Sequence, residues 1–199
     1  MRNLNAIRKM ASVSVPGRTG FRIAEEIVTK CNWAKNVDGI DVYKLPLSPT
    51  GGSIVNRFSF GKPDATGKRR KTILLMGATG SGKTTMINAM INYVLGVEWL
   101  DPFRFMLIDE VIRGGSQAHS QTSEVSVYDI HYQHGFRIPY SLTIIDTPGF
   151  GDTEGIERDN EIPTKMKKLF EAKNGIKVTF FFLGIYDISN FIEMKNFLI

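Results

Sequence analysis

The chain has 199 residues, of which 42% are hydrophobic and 23% are charged, and it carries a formal net charge of +5. These values predict a soluble globular protein with one domain of ordinary size. The single cysteine, Cys31, excludes an internal disulfide and suits a reducing compartment such as the cytoplasm. The cysteine and histidines form no cluster typical of structural zinc, and no apolar run reaches the ~20 residues that span a bilayer.

Residues 1–67 are predicted to form a basic, partly irregular N-terminal segment. The first 24 residues carry five arginines and lysines and no acid, which is typical of a solvated tail, an anion-contacting arm or a transit peptide. Residues 21–32 have helical spacing, whereas prolines and glycines predict an irregular linker over residues 44–67. The basic run at residues 68–71 indicates a solvated approach to a strand, a nuclear signal or a patch for an acidic membrane surface. A partial globular domain is predicted over residues 68–199.

The sequence KTILLMGATGSGKTT, at residues 71–85, carries the most specific motif of the chain. Its apolar run at residues 72–76 predicts a buried strand, and apolar residues at helical spacing after it predict an amphipathic helix. Between them, GATGSGKT fits the P-loop pattern G-x-x-x-x-G-K-[ST] in the context of strand, loop and helix that this motif requires. The alternative is a glycine-rich turn before a helix, and a chance match has odds of about one in a hundred.

Each residue type of this motif suits the binding of phosphate. The glycines let successive backbone N–H groups point at phosphate oxygens, and the helix N-terminus adds positive partial charge. Lys83 would reach the β- and γ-phosphates, and the Thr84 hydroxyl would ligate Mg²⁺. The predicted nucleotide-binding residues of the loop are Gly77, Ala78, Thr79, Gly80, Ser81, Gly82, Lys83, Thr84 and Thr85.

Two later segments compete to supply the acidic residue that holds the metal ion. FMLIDE resembles the strand ending in Asp-Glu of many P-loop ATPases, where Asp109 would hold Mg²⁺ through water and Glu110 would polarise the attacking water. LTIIDTPG ends in D-x-x-G, where Asp146 would serve Mg²⁺ and the Gly149 N–H would sense the γ-phosphate. We prefer the second segment because Asp109 lies only 26 residues beyond Lys83, which leaves barely enough room to return to the sheet, whereas Asp146 lies 63 beyond it.

The region between the P-loop helix and D-x-x-G is predicted to contain a switch loop and a two-stranded meander. Residues 124–131 alternate as a half-exposed edge strand does, a His-Gly pair marks a turn, and residues 138–145 form a central return strand. A helix over residues 162–172 and a fourth strand over residues 176–183 are predicted to follow.

GATGSGKTT, a Ser/Thr-rich loop and IIDTPGFGD, in that order, resemble the septin-like and AIG-type (GIMAP-like) GTPases of the translation-factor-related class. The DTPGFGD stretch is closest to septins, and the resemblance covers roughly residues 58–175. It implies a P-loop NTPase fold of α/β class, with three α/β/α layers and a mixed, mostly parallel sheet. In that sheet, the strand at residues 124–131 pairs antiparallel to its successor, and the fourth strand lies beside the P-loop strand.

The resemblance also implies functional residues and partners. A threonine of the first switch would close over Mg²⁺ and the γ-phosphate, and Thr122 matches it best, with Ser120 and Ser123 as alternatives. A second switch would span residues 146–159. Lys83 and Thr122 would then be the catalytic residues, Thr84, Thr122 and Asp146 the metal ligands, and Gly149 a further nucleotide-binding residue. GTP or GDP with Mg²⁺ and a second copy of the G domain are the implied partners, and no specific nucleic acid is expected.

The sequence departs from the class at two places. Phe150 stands where many members place a glutamine that orients the attacking water, so we expect slow turnover that needs help from a partner or a dimer. His119 and His131 are candidates for a substitute, against the simpler expectation of surface histidines. No [NT]-K-x-D motif for guanine follows Asp146, so we expect a fragment, a splice form or a mispredicted end, with weak affinity and little preference for GTP over ATP.

Three functional classes are therefore compatible with the sequence. The first is a slow Mg²⁺-dependent GTPase, and the second is a switch or assembly module in which nucleotide controls self-association. The third is an ATPase that uses Asp109 and Glu110.

Overall fold

The computed structural model describes residues 20, 22–51, 55–63, 69–108 and 125–149, and the backbone alone of residues 178–183. The elements are, in chain order, α1 (Ile23–Val28), β1 (Asn32–Val37), β2 (Ile40–Lys44), β3 (Ser48–Pro49), β4 (Asn56–Phe60), β5 (Arg70–Gly77), α2 (Lys83–Val94), β6 (Phe103–Met106), β7 (Ser126–Ile130), β8 (Ser141–Asp146) and β9 (Val178–Leu183). In this part of the chain, no helix combines the length and apolar character needed to cross a bilayer.

Six strands form a mixed sheet in the order β3-β4-β7-β8-β5-β9. The P-loop strand β5 lies between β8 and β9 and is parallel to both, whereas β7 is antiparallel to β8. The predicted meander, the fourth strand beside the P-loop strand and the mostly parallel character of the sheet are thereby confirmed. The α/β class also holds, but α2 is the one long helix among the described residues, so the three-layer arrangement stays a prediction. The predicted helix at residues 162–172 lies outside the described residues.

Strand β7 is an interior strand, and the prediction of a half-exposed edge strand is wrong. All five of its residues are buried, and β4 pairs parallel to the edge that faces away from β8. The irregular linker predicted for residues 44–67 is wrong as well, since β3 and β4 lie within it. Of the described prolines and glycines in this range, Pro49 lies in β3, whereas Pro46, Gly51, Gly61 and Pro63 lie outside the strands. Residues on both sides of the predicted domain boundary thus join one sheet, and the boundary itself stays a prediction.

A smaller sheet has the order β1-β2-β6. Strands β1 and β2 form a hairpin whose two turn residues, Asp38 and Gly39, both have positive φ, of 49° and 84°. An Asp-Gly pair is the favoured sequence for such a two-residue turn. Strand β6 pairs parallel to β2 and makes no pairing with β5. The sequence that follows β6 therefore leaves from the small sheet.

Two asparagines one turn apart on α2 bind the edge of β6 that faces away from β2. The Asn92 side chain accepts a hydrogen bond from Phe105 N at 2.8 Å and donates one to Phe105 O at 2.7 Å. The Asn88 Oδ1 accepts from Leu107 N at 2.8 Å and from Ile108 N at 3.1 Å. The two amides thus satisfy backbone groups as a neighbouring strand would. They hold β6 and the residues after it against the P-loop helix.

Helix α1 joins the same hydrophobic core as α2 and both sheets. Arg22, just before α1, donates to both carboxylate oxygens of Asp101, at 2.9 and 2.6 Å. It also donates to Gly96 O at 3.1 Å, while Asp101 accepts from Glu98 N at 2.8 Å. This half-buried ion pair fastens α1 to the segment that follows α2.

Candidate nucleotide-binding site

The predicted site lies at the carboxyl edge of the large sheet, where β5 and β8 end side by side. The two strands are in parallel register, with Leu75 opposite Asp146. Strand β5 continues through Gly77 into the P-loop, and α2 begins at Lys83. Ligands of open α/β sheets bind outside the carboxyl ends of the strands, so the topology supports a ligand site at this edge.

The backbone of the loop needs glycine at two positions. Gly80 and Gly82 have φ values of 75° and 88°, in the left-handed region that side chains disfavour. Gly82 directly precedes α2, and Ser81 N donates to Ala78 O at 3.2 Å within the turn. The glycine pattern of the motif therefore corresponds to an actual backbone requirement at these two positions.

Lys83 is buried, with 7% of its surface exposed, although it carries an ammonium group. Its Nζ donates to Gly77 O at 2.9 Å and to Ala78 O at 2.8 Å. Burial lowers its pKa, and the nearby charge of Asp146 opposes this shift. Phosphate oxygens would be stronger acceptors for this ammonium than the neutral carbonyls that it contacts.

Asp146 is almost fully buried, with 1% of its surface exposed, at the end of β8. The next residue, Thr147, donates its hydroxyl to Leu75 O at 2.9 Å and so ties this segment to the P-loop strand. Burial and then the Asp146 charge raise the pKa of Tyr128 to about 12. The carboxylate therefore acts electrostatically on both Lys83 and Tyr128.

Gly149 lies against the P-loop, at a distance that only glycine permits. A Cβ on Gly149 would lie 2.6 Å from the backbone N of Thr79 and 2.7 Å from its Cα, and it would also meet the Thr79 hydroxyl oxygen. Real Cβ atoms essentially never approach backbone atoms so closely. The glycine of D-x-x-G and the third residue of the P-loop are thus brought into direct contact.

The donor atoms around the loop fit a phosphate group and Mg²⁺. The hydroxyl oxygens of Thr79 and Ser81 are buried and have no hydrogen-bond partner among the described residues. Such atoms are costly to leave unsatisfied, and phosphate oxygens would satisfy them. Thr84, in the first turn of α2, and Asp146 offer the hydroxyl and carboxylate oxygens that Mg²⁺ prefers. Within the described ranges no three His, Cys, Asp or Glu residues cluster as a metal site, but Mg²⁺ at a P-loop takes further oxygens from the phosphates.

The structure thus brings together the loop from Gly77 to Thr85, the carboxylate of Asp146 and the backbone of Gly149. Thr85 is exposed, whereas Thr84 is half-buried. The other predicted residues lie outside the described part of the chain: these are Asp109, Glu110, His119, Ser120, Thr122, Ser123 and Phe150. The competing segment around Asp109 follows β6 in the small sheet, which is not paired with the P-loop strand.

His131 is neither a surface residue nor near the P-loop, so both predictions for it are wrong. It is 6% exposed, and its Nδ1 lies 3.4 Å from Nη2 of Arg70, at the start of β5. At about 3.3 Å per residue, the far end of β5 is on the order of 20 Å away. Burial and then the charge of Arg70 lower the pKa of His131.

His131 belongs to an ionic cluster around Asp129 that the sequence reading missed. Asp129 accepts from Arg57 Nε and Arg70 Nη1, each at 2.6 Å, and from the Thr143 hydroxyl at 2.7 Å. Burial tends to raise the pKa of Asp129, but the Thr143 hydrogen bond and the two arginines hold it below its usual range. The sequence signal that could have revealed this cluster is the acidic residue Asp129 within the otherwise mostly apolar strand β7.

Two residues of the basic run at residues 68–71 make contacts within the chain. Arg70 binds Asp129, and Lys71 Nζ lies 4.2 Å from the centre of the Tyr140 ring. Arg69 is exposed. The run is therefore not a row of equivalent free charges.

A family model for septins matches residues 69–169, which is just over half of the chain. The match includes the P-loop, Asp146 and Gly149, and it supports the septin side of the resemblance rather than the AIG-type side. No curated protein and no solved structure matches the chain.

Proposed function

The chain belongs to the septin family of GTP-binding proteins, and from this premise we propose that it binds GTP with Mg²⁺ at the P-loop. Lys83 would bind the β- and γ-phosphates, and the loop N–H groups would surround them. Thr84 and Asp146 would hold Mg²⁺, and the Gly149 N–H would meet the γ-phosphate. Bound Mg²⁺ would neutralise charge on the phosphate oxygens.

The observation that carries this proposal is the position of Asp146 relative to Lys83. Asp146 is buried at the end of β8, Lys83 is buried at the start of the helix that follows the P-loop, and their charges interact. At this sheet edge the Asp146 carboxylate would face Mg²⁺ and the Lys83 ammonium would face phosphate oxygens, which supports the proposal. The same edge provides the two unsatisfied hydroxyl groups.

We further propose that bound nucleotide controls self-association and that hydrolysis is slow. Phe150 cannot hydrogen-bond a water molecule, so the group that orients the attacking water in related GTPases has no counterpart there. Thr122 is proposed as the switch residue that closes over Mg²⁺. The loop around Thr122 would then change conformation when the γ-phosphate is bound, and a second copy of the chain would bind one of the two conformations. Light scattering with and without a non-hydrolysable GTP analogue tests whether nucleotide drives assembly.

The alternative of an ATPase that uses Asp109 and Glu110 is less well supported. The strand before Asp109 lies in the small sheet, next to β2, rather than beside β5. Glu110→Gln would abolish turnover only if this alternative were correct. Asp146→Ala would weaken Mg²⁺-nucleotide binding only under the GTPase and assembly proposals.

Contact with an acidic membrane surface through residues 68–71 remains a secondary proposal. Since the Arg70 guanidinium is already engaged with Asp129, we expect Arg69 to contribute more than Arg70 to such contact. Co-sedimentation with vesicles of neutral lipid, with and without phosphatidylserine, tests it. Arg69→Glu is expected to lower the bound fraction, and binding that is independent of acidic lipid would exclude this role.

The decisive experiment for the proposed function is titration of the purified chain with fluorescent GTP and ATP analogues, with and without Mg²⁺. We expect Mg²⁺-dependent binding that Lys83→Ala abolishes. The ratio of the two affinities shows whether guanine is preferred in a sequence without [NT]-K-x-D after Asp146. Equal and negligible binding by wild type and Lys83→Ala would exclude a working phosphate site.

A further inference from the structure

The Thr79 hydroxyl is one of two buried hydroxyl groups in the P-loop that have no hydrogen-bond partner among the described residues. The other is that of Ser81, two positions later. A buried hydroxyl without a partner is unfavourable, so each of these groups favours a ligand that supplies an acceptor. Phosphate oxygens are such acceptors, and they accept strongly because they are charged.

Contact with Gly149 distinguishes Thr79 from Ser81. The three atoms nearest to a Cβ on Gly149 all belong to Thr79, and the hydroxyl oxygen is one of them. Gly149 lies three residues beyond the end of β8, in the D-x-x-G sequence. The Thr79 hydroxyl therefore lies where the P-loop meets the segment assigned to the γ-phosphate.

We propose that the Thr79 hydroxyl selects a nucleoside triphosphate over a diphosphate by donating a hydrogen bond to a γ-phosphate oxygen. This inference rests on the proposed function, because it requires a nucleotide in the P-loop with its γ-phosphate at Gly149. A γ-phosphate at this point would replace the contact between Thr79 and Gly149 with a charge-assisted hydrogen bond. A diphosphate has no oxygen there, so the hydroxyl would add nothing to its affinity.

The sequence makes a polar side chain at this position useful. Phe150, directly after Gly149, has no hydrogen-bonding group in its side chain. It therefore cannot donate a hydrogen bond to the γ-phosphate. Thr79 supplies a donor from the opposite side, on the P-loop.

The test uses the full chain with Mg²⁺ and compares a non-hydrolysable GTP analogue with GDP in titration calorimetry. Thr79→Val removes the hydroxyl and keeps the branched shape, whereas Thr79→Ser keeps the hydroxyl. Ser81→Ala removes the other unsatisfied hydroxyl as a matched control. We expect Thr79→Val to lose roughly tenfold in affinity for the GTP analogue and to keep its affinity for GDP within about twofold. Thr79→Ser is expected to resemble wild type, and Ser81→Ala to leave the ratio of the two affinities unchanged.

Each other outcome has a defined meaning. Equal losses for both nucleotides in Thr79→Val would show that the side chain only shapes the loop. Unchanged affinities for both nucleotides would show that the hydroxyl does not reach the γ-phosphate. Either result overturns the inference and leaves the proposed function intact. If wild type shows no Lys83-dependent binding, the proposed function fails first and the inference with it.

Discussion

Asp146 lies opposite Leu75 in the parallel pairing of β8 with β5. Leu75 is two residues before Gly77, the first glycine of the P-loop. This register, together with the Thr147 hydrogen bond to Leu75 O, fixes the carboxylate beside the phosphate loop. The position of the proposed Mg²⁺ ligand is therefore set by strand pairing in the core and not by a surface loop. Substitutions on these two strands are the most direct tests of the site.

Asp146→Asn keeps the size of the side chain and removes its charge. We expect affinity for GTP in the presence of Mg²⁺ to fall roughly tenfold or more, since a hydrogen bond or ligand contact to a charged group contributes about 1.5–3 kcal/mol. Affinity measured with excess EDTA should change little. Asp38→Asn, in the exposed hairpin turn, serves as the control and should behave as wild type. Equal losses with and without Mg²⁺ would contradict the assignment of Asp146 to the metal.

Gly149→Ala places a methyl group against the Thr79 backbone. Because the nearest backbone atoms would lie at 2.6 and 2.7 Å, the segment after β8 must move away from the P-loop. We expect the free energy of unfolding to fall by about 1–3 kcal/mol, as in other overpacked sites, and GTP affinity to fall with it. Urea unfolding and calorimetry measure the two effects. Thr79→Gly should not rescue the variant, since two of the three close contacts involve the backbone of residue 79.

Asn88→Ala tests the bridge between the P-loop helix and β6. It removes the acceptor for Leu107 N and Ile108 N and the donor to Ile108 O. Alanine is a better helix former than asparagine by several tenths of a kcal/mol, so any loss must come from these tertiary hydrogen bonds. We expect the free energy of unfolding to fall by roughly 2–4 kcal/mol. Asn32→Ala, on the exposed strand β1, should change stability by less than about 0.5 kcal/mol.

The ion pair between Arg22 and Asp101 is predicted to anchor α1. A double-mutant cycle with Arg22→Met and Asp101→Asn isolates the interaction between the two side chains. We expect a coupling energy of about 1.5–3 kcal/mol, because the ion pair is bidentate and largely shielded from water. Chemical denaturation of the four proteins measures it. A coupling energy near zero would mean that the Arg22–Asp101 ion pair does not hold α1 in place.

The sequence was sufficient to predict the parts of the fold that depend on local patterns. The P-loop and the apolar strands β5 and β8 follow from a motif or a short apolar run, whereas the placement of β9 beside β5 was implied by the family resemblance. Strand β4 was missed because its sequence, NRFSF, carries no such run and becomes a strand by pairing with β7, about 70 residues later along the chain. The position of β6 likewise depends on side-chain hydrogen bonds from Asn88 and Asn92, which no periodicity reveals.

The same limit applies to the candidate site. Lys83, Asp146 and Gly149 were predicted from their motifs, and the structure places them at one edge of the sheet. The contact between Gly149 and Thr79 could not be predicted, because it depends on how the ends of β5 and β8 align. The cluster around Asp129 has the same origin, since its two arginines lie 72 and 59 residues before Asp129 in the chain.

Asp129→Asn is predicted to destabilise the protein in a pH-dependent manner. Asp129 faces Arg57, Arg70, His131 and the Thr143 hydroxyl, and its removal leaves two arginines without their carboxylate. We expect a loss of roughly 2–4 kcal/mol at pH 7, measured by urea unfolding. Because the folded-state pKa of Asp129 lies below the reference value of 3.8, its contribution is complete above pH 3.8. It is lost as the pH falls through the folded-state pKa.

The difference in stability between wild type and Asp129→Asn should therefore be constant near neutral pH and shrink below about pH 4. A series of unfolding curves from pH 7 to pH 3 tests this directly. A difference that stays constant over the whole range would show that Asp129 stabilises the sheet by packing and neutral hydrogen bonds. A difference that shrinks with acidification would show that the carboxylate charge, held between two arginines, joins β4 and β5 through β7.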